Sequence, residues 1–191
     1  YVGNKVEQGI GGGICQTSST LYAAAMNANL RSVSRRNHSM TVSYMPAGMD
    51  ATVSWGTIDY QFKNNYDFPV YIQTVTANRN LTISFYGNGA AMEGKTYKLT
   101  SEVVKTIEPS TKVIEDNTMN EGTTSWDVKP VTGYVAKSYL VTYQNGVEIN
   151  REAVATDNYI AVNGVMRKGT KKVEVKKEEP KTEVPKTEEP A

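Results

Sequence analysis

The order of apolar and polar residues along the chain predicts one helix near its start and strands after it. Residues Ser18 to Asn29 are mostly strong helix formers and predict the helix. Residues of the type that caps a helix N-terminus stand at its start: Thr17, Ser18 and Ser19. The face expected to pack on a sheet is formed by residues at helical spacing: Leu21, Ala24, Ala25 and Ala28.

Alternation of apolar and polar residues predicts a bent strand after the helix. Val53 and Trp55 would share one face of this strand. The opposite face would carry Ile58, Tyr60 and Phe62. Gly56 stands where the alternation changes phase, which predicts a β-bulge at that residue.

Two hairpins are predicted from short turn sequences between alternating segments. Residues 70–75 and 81–86 flank the polar residues 77–80, and Asn145-Gly146 separates a second pair of alternating segments. Asn-Gly is a strong hairpin signal because both positions tolerate positive φ.

A change of composition divides the chain into three parts. Residues 87–94 contain three glycines and no periodic pattern, so we place a boundary there between a first domain (1–90) and a second (95–175). Residues 171–191 hold six Lys, six Glu and three Pro. The last strand can extend through Lys171–Val175, and residues 176–191 are expected to be a disordered tail. The predicted fold is α+β, with one helix packed on an antiparallel sheet, followed by an elongated all-β domain.

The composition excludes several classes of function. With 21 Lys and Arg against 20 Asp and Glu, the net charge of +1 argues against a nucleic-acid-binding protein. One Cys and one His exclude a disulfide framework within the chain, a multi-thiolate zinc site and a multi-histidine metal site. The sequence implies no metal and no organic cofactor.

The start of the chain indicates a fragment of a longer protein. The chain begins at Tyr1, without an initiator Met and without a signal-peptide pattern. Its longest apolar run has six residues, Leu21 to Met26, against about 20 needed to span a bilayer. A membrane anchor would therefore lie only in a preceding N-terminal part.

The most informative residues are a cysteine and a histidine. Cys15 follows a run of three glycines and precedes the predicted helix, where the partial positive charge of a helix N-terminus stabilises a thiolate. His38 could exchange a proton with it. Asp50, Asp59 or a backbone carbonyl could orient the imidazole, with Asp50 the first choice.

The same residues also allow structural interpretations. A lone Cys is often a small buried apolar residue, and a lone His is often structural. Three consecutive glycines could equally form a flexible turn or an anion-binding loop.

The residues that carry this chemistry resemble the VanW domain, which takes its name from an accessory protein of vancomycin-resistance clusters. The resemblance covers roughly the first 87 residues. It includes residues 11–22 (GGGICQTSSTLY), His38-Ser39, residues 42–44 (VSY), residues 48–53 (GMDATV), Asn64-Asn65, residues 69–72 (PVYI) and Tyr86-Gly87. The family usually has a longer N-terminal part before the glycine run.

The second half is similar to the five-glycine cell-wall domain. This resemblance is carried by residues 131–134 (VTGY), 143–148 (YQNGVE), 149–152 (INRE) and 168–171 (KGTK), and by five glycines between Gly122 and Gly169. Domains of that family are extended all-β modules of exported proteins, implicated in adhesion and in binding wall polymers that contain N-acetylglucosamine.

The VanW resemblance implies a cysteine-dependent L,D-transpeptidase acting on peptidoglycan. It makes Cys15 the nucleophile and His38 the base, while Asp50 stays our own first choice for the group that orients the imidazole. Backbone N–H groups of Gly13, Ile14 and Cys15 would form the oxyanion hole, and Arg35 or Arg36 would hold a stem-peptide carboxylate. The residues assigned to substrate or oxyanion binding are Gly12, Gly13, Ile14, Gln16, Ser39 and Arg36.

Three functions remain open at this point. The first is the transpeptidase, with peptidoglycan stem peptides and glycan strands as partners. The second is a non-catalytic module for wall binding or adhesion, in which Cys15 is a packing residue. The third is a cysteine peptidase or amidase that cleaves wall peptides with water. In each case the protein is expected to be exported to the cell wall or the outer side of the envelope.

Overall fold

The computed structural model describes residues 12–172, which form one α-helix and ten strands. The elements in chain order are α1 (Ile14–Asn27), β1 (Arg31–Ser34), β2 (Gln61–Lys63), β3 (Tyr71–Ala77), β4 (Asn80–Tyr86), a 3-10 turn (Gly89–Met92), β5 (Lys95–Ile107), β6 (Thr111–Asn120), β7 (Thr124–Val128), β8 (Gly133–Gln144), β9 (Val147–Tyr159) and β10 (Gly164–Lys171). The tail predicted at residues 176–191 lies outside the described residues.

The strands form four small sheets. β1 pairs with β2 and β3 with β4, while the second half forms the sheets β5-β8-β9 and β6-β10-β7. The pairing is antiparallel except between β6 and β10. This confirms one helix with mostly antiparallel sheets, followed by an all-β second half.

The helix begins earlier than predicted, at Ile14 instead of Ser18, and it ends at Asn27. Its N-cap is Gly13, which offers no side-chain cap, so the expected capping role of Thr17, Ser18 and Ser19 is wrong. The two serine hydroxyls have other partners, because Ser18 Oγ donates to Ala51 O at 2.6 Å and Ser19 Oγ donates to Cys15 O at 2.7 Å. Asn29, with φ of 55°, takes the left-handed conformation that commonly follows a helix.

The buried face of α1 is also offset from the predicted one. Its buried residues are Ser18, Ser19, Tyr22, Ala25 and Met26. Of the predicted face only Ala25 is buried, whereas Leu21, Ala24 and Ala28 are partly exposed. The difference arises because α1 contacts β1, β4 and β5, which belong to three different sheets, instead of lying flat on one.

Both predicted hairpins are confirmed. β3 and β4 meet at Asn78 and Arg79, which have φ of 51° and 63°, and β8 and β9 meet at Asn145 and Gly146, with φ of 51° and 80°. Positive φ at both central residues is characteristic of the type I′ turn, whose backbone twist matches the twist of the two strands.

The bulge predicted at Gly56 is wrong. Ser54 and Ile58 form an isolated bridge that closes a turn, and Gly56 lies in that turn with φ of +73°. Trp55 is fully exposed at the same turn. The change of phase in the sequence therefore marks a reversal of the chain and not an irregularity within one strand.

The core is shared between the two halves of the chain. It consists of Tyr22, Ala25, Met26, Leu30, Ala51 and Tyr60 from the first half and Leu99 and Leu140 from the second. Helix α1 therefore buries its apolar face partly against the sheet β5-β8-β9. In the described part of the chain, no helix is long and apolar enough to cross a membrane.

We predict that Leu140→Ala destabilises the protein by about 2 to 5 kcal/mol, because it empties a core position that is 1% exposed. The matched control is Val147→Ala, at a side chain 65% exposed, which should cost about 0.5 kcal/mol or less. Chemical denaturation of both variants measures the difference. Equal free energies of unfolding would show that the shared core does not support the fold.

Candidate functional site

Cys15 lies in the first turn of α1, so its thiol stands at a helix N-terminus. The sulfur lies 3.4 Å from Val53 O and 3.6 Å from Thr52 Oγ1, and the residue is partly exposed. Helix geometry gives the first backbone N–H groups no acceptor within the helix. The thiol is thus partly exposed and lies beside N–H groups that have no acceptor within the helix.

The segment that contacts the sulfur is fastened to α1 by two serine hydroxyls. Ala51 N donates to Ser19 Oγ at 3.0 Å, and Ser18 Oγ donates to Ala51 O at 2.6 Å. Ser19 Oγ also donates to Cys15 O. These bonds fix Thr52 and Val53 next to the thiol.

His38 is buried beside Asp50 and makes two hydrogen bonds to it. The imidazole Nδ1 lies 2.5 Å from Asp50 Oδ2, and the backbone N–H of His38 donates to the same oxygen at 2.7 Å. The other ring nitrogen, Nε2, lies 3.4 Å from the hydroxyl of Tyr44, whose ring stands edge-on to the imidazole. Because Asp50 occupies Nδ1, Nε2 is the nitrogen available to exchange a proton with Cys15.

Asp50 is fully buried and has charged and polar partners on its other oxygen. The Tyr159 hydroxyl donates to Asp50 Oδ1, and Arg35 Nη2 lies 3.4 Å from the same oxygen. Arg35 also donates from Nε to the Asp50 backbone carbonyl at 2.7 Å and from Nη1 to both oxygens of Asp157. A buried carboxylate keeps its charge only with such partners.

The pKa shifts of Cys15, His38 and Asp50 all favour the charged form of the group. Burial raises the pKa of the Cys15 thiol, but hydrogen bonding at Val53 and Thr52 and the nearby His38 outweigh it and leave the pKa below its ordinary value. Burial lowers the pKa of His38, but Asp50 and Cys15 outweigh it and raise the pKa. Burial raises the pKa of Asp50, but hydrogen bonds from His38 and Tyr159 prevail and lower it. The arrangement therefore favours a thiolate beside an imidazolium.

The structure brings Cys15, His38 and Asp50 together. Asp59, the other acidic residue considered, binds the backbone N–H of Tyr60 and the side chain of Gln61, and it makes no contact with His38.

The six residues assigned to substrate or oxyanion binding are all exposed. Gly12, Gly13, Ile14 and Gln16 are exposed at the start of α1. Ser39 and Arg36 are also exposed. Their backbone carbonyls bind Ile160 N and Thr52 N respectively, each at 2.8 Å.

Arg35 differs from Arg36, because its guanidinium is buried between Asp50 and Asp157. It therefore holds a carboxylate of the protein itself and is not free for a substrate. Burial lowers the pKa of Arg35, but Asp157 and its other neighbours raise it, so the side chain stays charged.

Several residues of the site were missed by sequence analysis. Tyr44 and Thr52 fall within the segments that resemble the VanW domain, six residues after His38 and two residues after Asp50, so their position in the sequence was a usable signal. Asp157 and Tyr159 gave no signal, because they follow Asp50 by more than 100 residues. Within residues 12–172, no three His, Cys, Asp or Glu side chains converge to hold a metal ion.

A separate open cavity of about 790 Å³ lies between α1 and β4 and contains none of the three grouped residues. Its lining includes Ala24, Ala28, Tyr66 and Phe85. The chemistry described here therefore belongs to the surface around Cys15 and not to this cavity.

We predict that Asp50→Asn lowers the pKa of His38, because the carboxylate that opposes the effect of burial is lost. The chain has one histidine, so an NMR titration of its imidazole protons gives an unambiguous value. Asp59→Asn is the matched control and should leave the pKa of His38 unchanged. An unchanged pKa in Asp50→Asn would contradict the pairing.

Family comparisons agree with this architecture. The VanW like protein family matches residues 1–86, and the G5 domain family matches residues 98–171. A Bacillus subtilis (strain 168) protein, YoaR, described as uncharacterized, is 42% identical over 87 residues. The match covers 46% of this chain and 29% of YoaR, so this chain spans less than a third of that relative.

Two solved structures are similar to part of the chain. The G5 domain of an IgA1 protease is 22% identical, with a TM-score of 0.27, over 40% of this chain and 93% of that one. The HP0197 G5 domain is 13% identical, with a TM-score of 0.25, over 39% and 97% of the two chains. At these scores the likenesses carry no argument of their own.

The two family matches together indicate a cell-wall-associated protein. They also explain why one chain has a helix-containing first part and an all-β second part. The chain carries a VanW-like domain at residues 1–86, followed by a G5 domain at residues 98–171.

Proposed function

We propose that this protein is a cysteine-dependent L,D-transpeptidase that cross-links peptidoglycan stem peptides. The observation that carries the proposal is the grouping of Cys15, His38 and Asp50, in which Asp50 binds Nδ1 of the imidazole and leaves Nε2 for the thiol. A nucleophile, a base and a residue that orients the base are the parts that covalent acyl transfer requires.

The position of Cys15 supports an activated thiol. A helix N-terminus and a neighbouring imidazolium both stabilise a thiolate, and the thiolate is the nucleophilic form. The pKa of Cys15 lies below its ordinary value despite the opposing effect of burial. A packing cysteine would instead be enclosed by apolar groups, whereas this sulfur contacts a hydroxyl and a carbonyl.

The first half of the proposed reaction forms a thioester. The Cys15 thiolate attacks the carbonyl carbon of the third stem residue, and the carbonyl oxygen becomes an oxyanion. The C–N bond to the terminal D-Ala then breaks, and the amine of D-Ala leaves with the proton from His38 Nε2. Asp50 holds the imidazole in place throughout.

The second half transfers the acyl group to a neighbouring stem. The amine of a diamino acid attacks the thioester carbon, and His38 Nε2 takes the proton that this amine loses. The C–S bond breaks and the thiolate is restored. One amide bond is exchanged for another, so no cofactor or external energy source is consumed.

The start of α1 supplies the groups proposed to stabilise the oxyanion. The N–H groups of Gly13, Ile14 and Cys15 stand at the N-cap and in the first turn, where they have no acceptor within the helix, and Gly12 and Gln16 flank them as exposed residues. Fixed donors aimed at a developing negative charge contribute strongly to acyl transfer.

Arg36 and Ser39 are proposed to contact the stem peptide. Thr52 links Arg36 to the site, because its N–H binds Arg36 O and its hydroxyl lies beside Cys15. The exposed guanidinium of Arg36 could therefore reach a stem carboxylate, whereas Arg35 is occupied by internal carboxylates.

The G5 match favours a second function, glycan binding by the second half of the chain. G5 domains bind cell-wall or glycan polymers, which is consistent with a glycan partner. In our proposal this half holds the glycan strands while the Cys15 site acts on the stems, and the protein is exported to the wall. A module that only binds the wall, and a peptidase or amidase that uses water, are the competing outcomes.

We predict that Cys15 is alkylated by iodoacetamide with an apparent pKa below the ordinary thiol value, because His38 and the helix N-terminus favour the thiolate. The single cysteine makes the rate specific to this residue. In His38→Ala the apparent pKa should rise, since burial then acts with less opposition. The denatured protein is the control for an ordinary thiol. A native thiol that reacts only after denaturation would contradict an activated nucleophile.

We predict that Cys15→Ala abolishes the formation of cross-linked stem dimers, by about a thousandfold or more, because it removes the nucleophile. Mass spectrometry of products from tetrapeptide stems measures this, and thermal unfolding checks that the variant is folded. Thr20→Ala, five residues further along α1, should keep the activity, since its hydroxyl donates to Gln16 O of the same helix.

The products of the wild-type protein separate the three functions. Dimers together with free D-Ala support the transpeptidase. Shortened stems without dimers indicate hydrolysis, and retention on wall glycan without any new product indicates a binding module. Either of the last two results would overturn the proposed reaction.

A further inference from the structure

Four consecutive residues, Asp157 to Tyr159 at the end of β9 and Ile160 directly after it, contact the segments that carry His38 and Asp50. These four residues, here called the β9 frame, belong to the G5 domain, whereas His38 and Asp50 belong to the VanW-like domain. Each residue of the β9 frame makes a contact of its own with the first domain.

The β9 frame binds both neighbours of His38. The Asn37 side chain donates from Nδ2 to Asn158 O at 2.9 Å, and the backbone N–H of Ile160 donates to Ser39 O at 2.8 Å. Both neighbours of His38 are thus held by the β9 frame, Asn37 through its side chain and Ser39 through its backbone carbonyl, which restrains the segment that carries the imidazole.

Tyr159 of the frame also holds the segment of Asp50. Its hydroxyl accepts a hydrogen bond from Gly48 N at 2.6 Å and donates one to Asp50 Oδ1. Both groups are buried. The hydroxyl therefore fixes the carboxylate from the side opposite His38.

Gly48 lies close against the G5 sheet. A Cβ atom there would make a tight contact of 3.1 Å with Ser101 Cβ and an ordinary one of 3.4 Å with Ala136 Cβ. Its φ of +88° is the stronger reason for glycine, because L side chains rarely adopt that conformation. The segment that carries Asp50 is therefore packed directly on the second domain.

Asp157 completes the β9 frame through Arg35. Arg35 Nη1 lies 2.6 Å from Asp157 Oδ2, and Arg35 Nε donates to Asp50 O at 2.7 Å. The Arg35 side chain is 8% exposed and that of Asp157 is 7% exposed. The guanidinium thus ties the backbone of Asp50 to a carboxylate of the G5 domain.

We propose that the β9 frame positions Asp50 and His38, with Tyr159 and Asp157 as positioning residues, so that the G5 domain completes the site of the VanW-like domain. The consequence for catalysis rests on the proposed function. The effect on the titration midpoint of His38 can be measured whether or not the protein is a transpeptidase.

The test is an NMR titration of His38, the one histidine of the chain, in the wild-type protein and in Tyr159→Phe. Without the hydroxyl, Asp50 can turn away from Nδ1, and the effect of burial then lowers the midpoint of the His38 titration. We expect a clear downward shift, with the alkylation midpoint of Cys15 moving upward.

The matched control is Tyr139→Phe. Tyr139 is also a G5 tyrosine, and its hydroxyl binds a carboxylate, Glu102, at 2.7 Å on the exposed face of the sheet. This variant should leave both midpoints unchanged. An unchanged or raised His38 midpoint in folded Tyr159→Phe would overturn the proposal. It would mean that Tyr159 competes with His38 for the negative charge of Asp50 and does not position the carboxylate.

A second variant covers the case in which Tyr159→Phe fails to fold. Asp157→Asn keeps an oxygen acceptor for Arg35 but removes its charge, so Arg35 should draw closer to Asp50 and compete with His38. We again expect a lower His38 midpoint, and an unchanged midpoint would overturn the role of the β9 frame.

Product analysis separates the two proposals. A shifted His38 midpoint in a protein that forms no stem dimers would support the β9 frame and overturn the transpeptidase. An unshifted His38 midpoint in a variant that forms dimers as fast as the wild type would support the transpeptidase and overturn the β9 frame.

Discussion

The buried carboxylate of Asp50 is the constraint on which the rest of the site depends. It is fully buried, and an isolated carboxylate in such a place would cost several kcal/mol or would take up a proton. Four hydrogen-bonding groups surround it: the His38 backbone N–H, the His38 imidazole, the Tyr159 hydroxyl and the Arg35 guanidinium. Arg35 and His38 belong to one segment and Tyr159 to another more than 100 residues later, so satisfying this one charge requires both segments to meet at Asp50. The geometry of His38 follows from that requirement.

The sequence was sufficient to predict the local part of this arrangement. Cys15, His38 and Asp50 lie within 36 residues of one another, and a glycine run before a helix is a signal that can be read without a structure. The start of the helix was predicted four residues late because Ser18 and Ser19 were interpreted as caps. Their hydroxyls serve tertiary contacts with Ala51 instead, and the residue types that cap helices are the same ones that make such contacts.

The part of the site and fold that was not predicted depends on contacts between residues that are far apart in the sequence. Tyr159 reaches Asp50 across 109 residues, and neither local propensity nor alternation can indicate which strand will meet which loop. The same limit explains the helix face. The four residues at helical spacing were predicted to face one sheet, whereas α1 lies against strands of three sheets and buries Tyr22 and Met26 instead. The hairpin turns were predictable because Asn145-Gly146 encodes its own backbone geometry.

Arg35 forms ion pairs with one buried carboxylate from each half of the chain, Asp50 and Asp157. It lies between two carboxylates whose pKa values move in opposite directions. Burial raises the pKa of Asp157 despite Arg35, while His38 and Tyr159 outweigh burial and lower the pKa of Asp50. As the pH falls, Asp157 therefore takes up a proton before Asp50 does. Because Asp50 binds its proton less readily in the folded state, its contribution to stability is present above its ordinary pKa and is lost only below it. Asp157 contributes in the opposite direction, since folding favours its protonated form. Asp157 of the G5 domain is thus protonated first as the pH falls. Asp50, which holds His38, keeps its negative charge to lower pH.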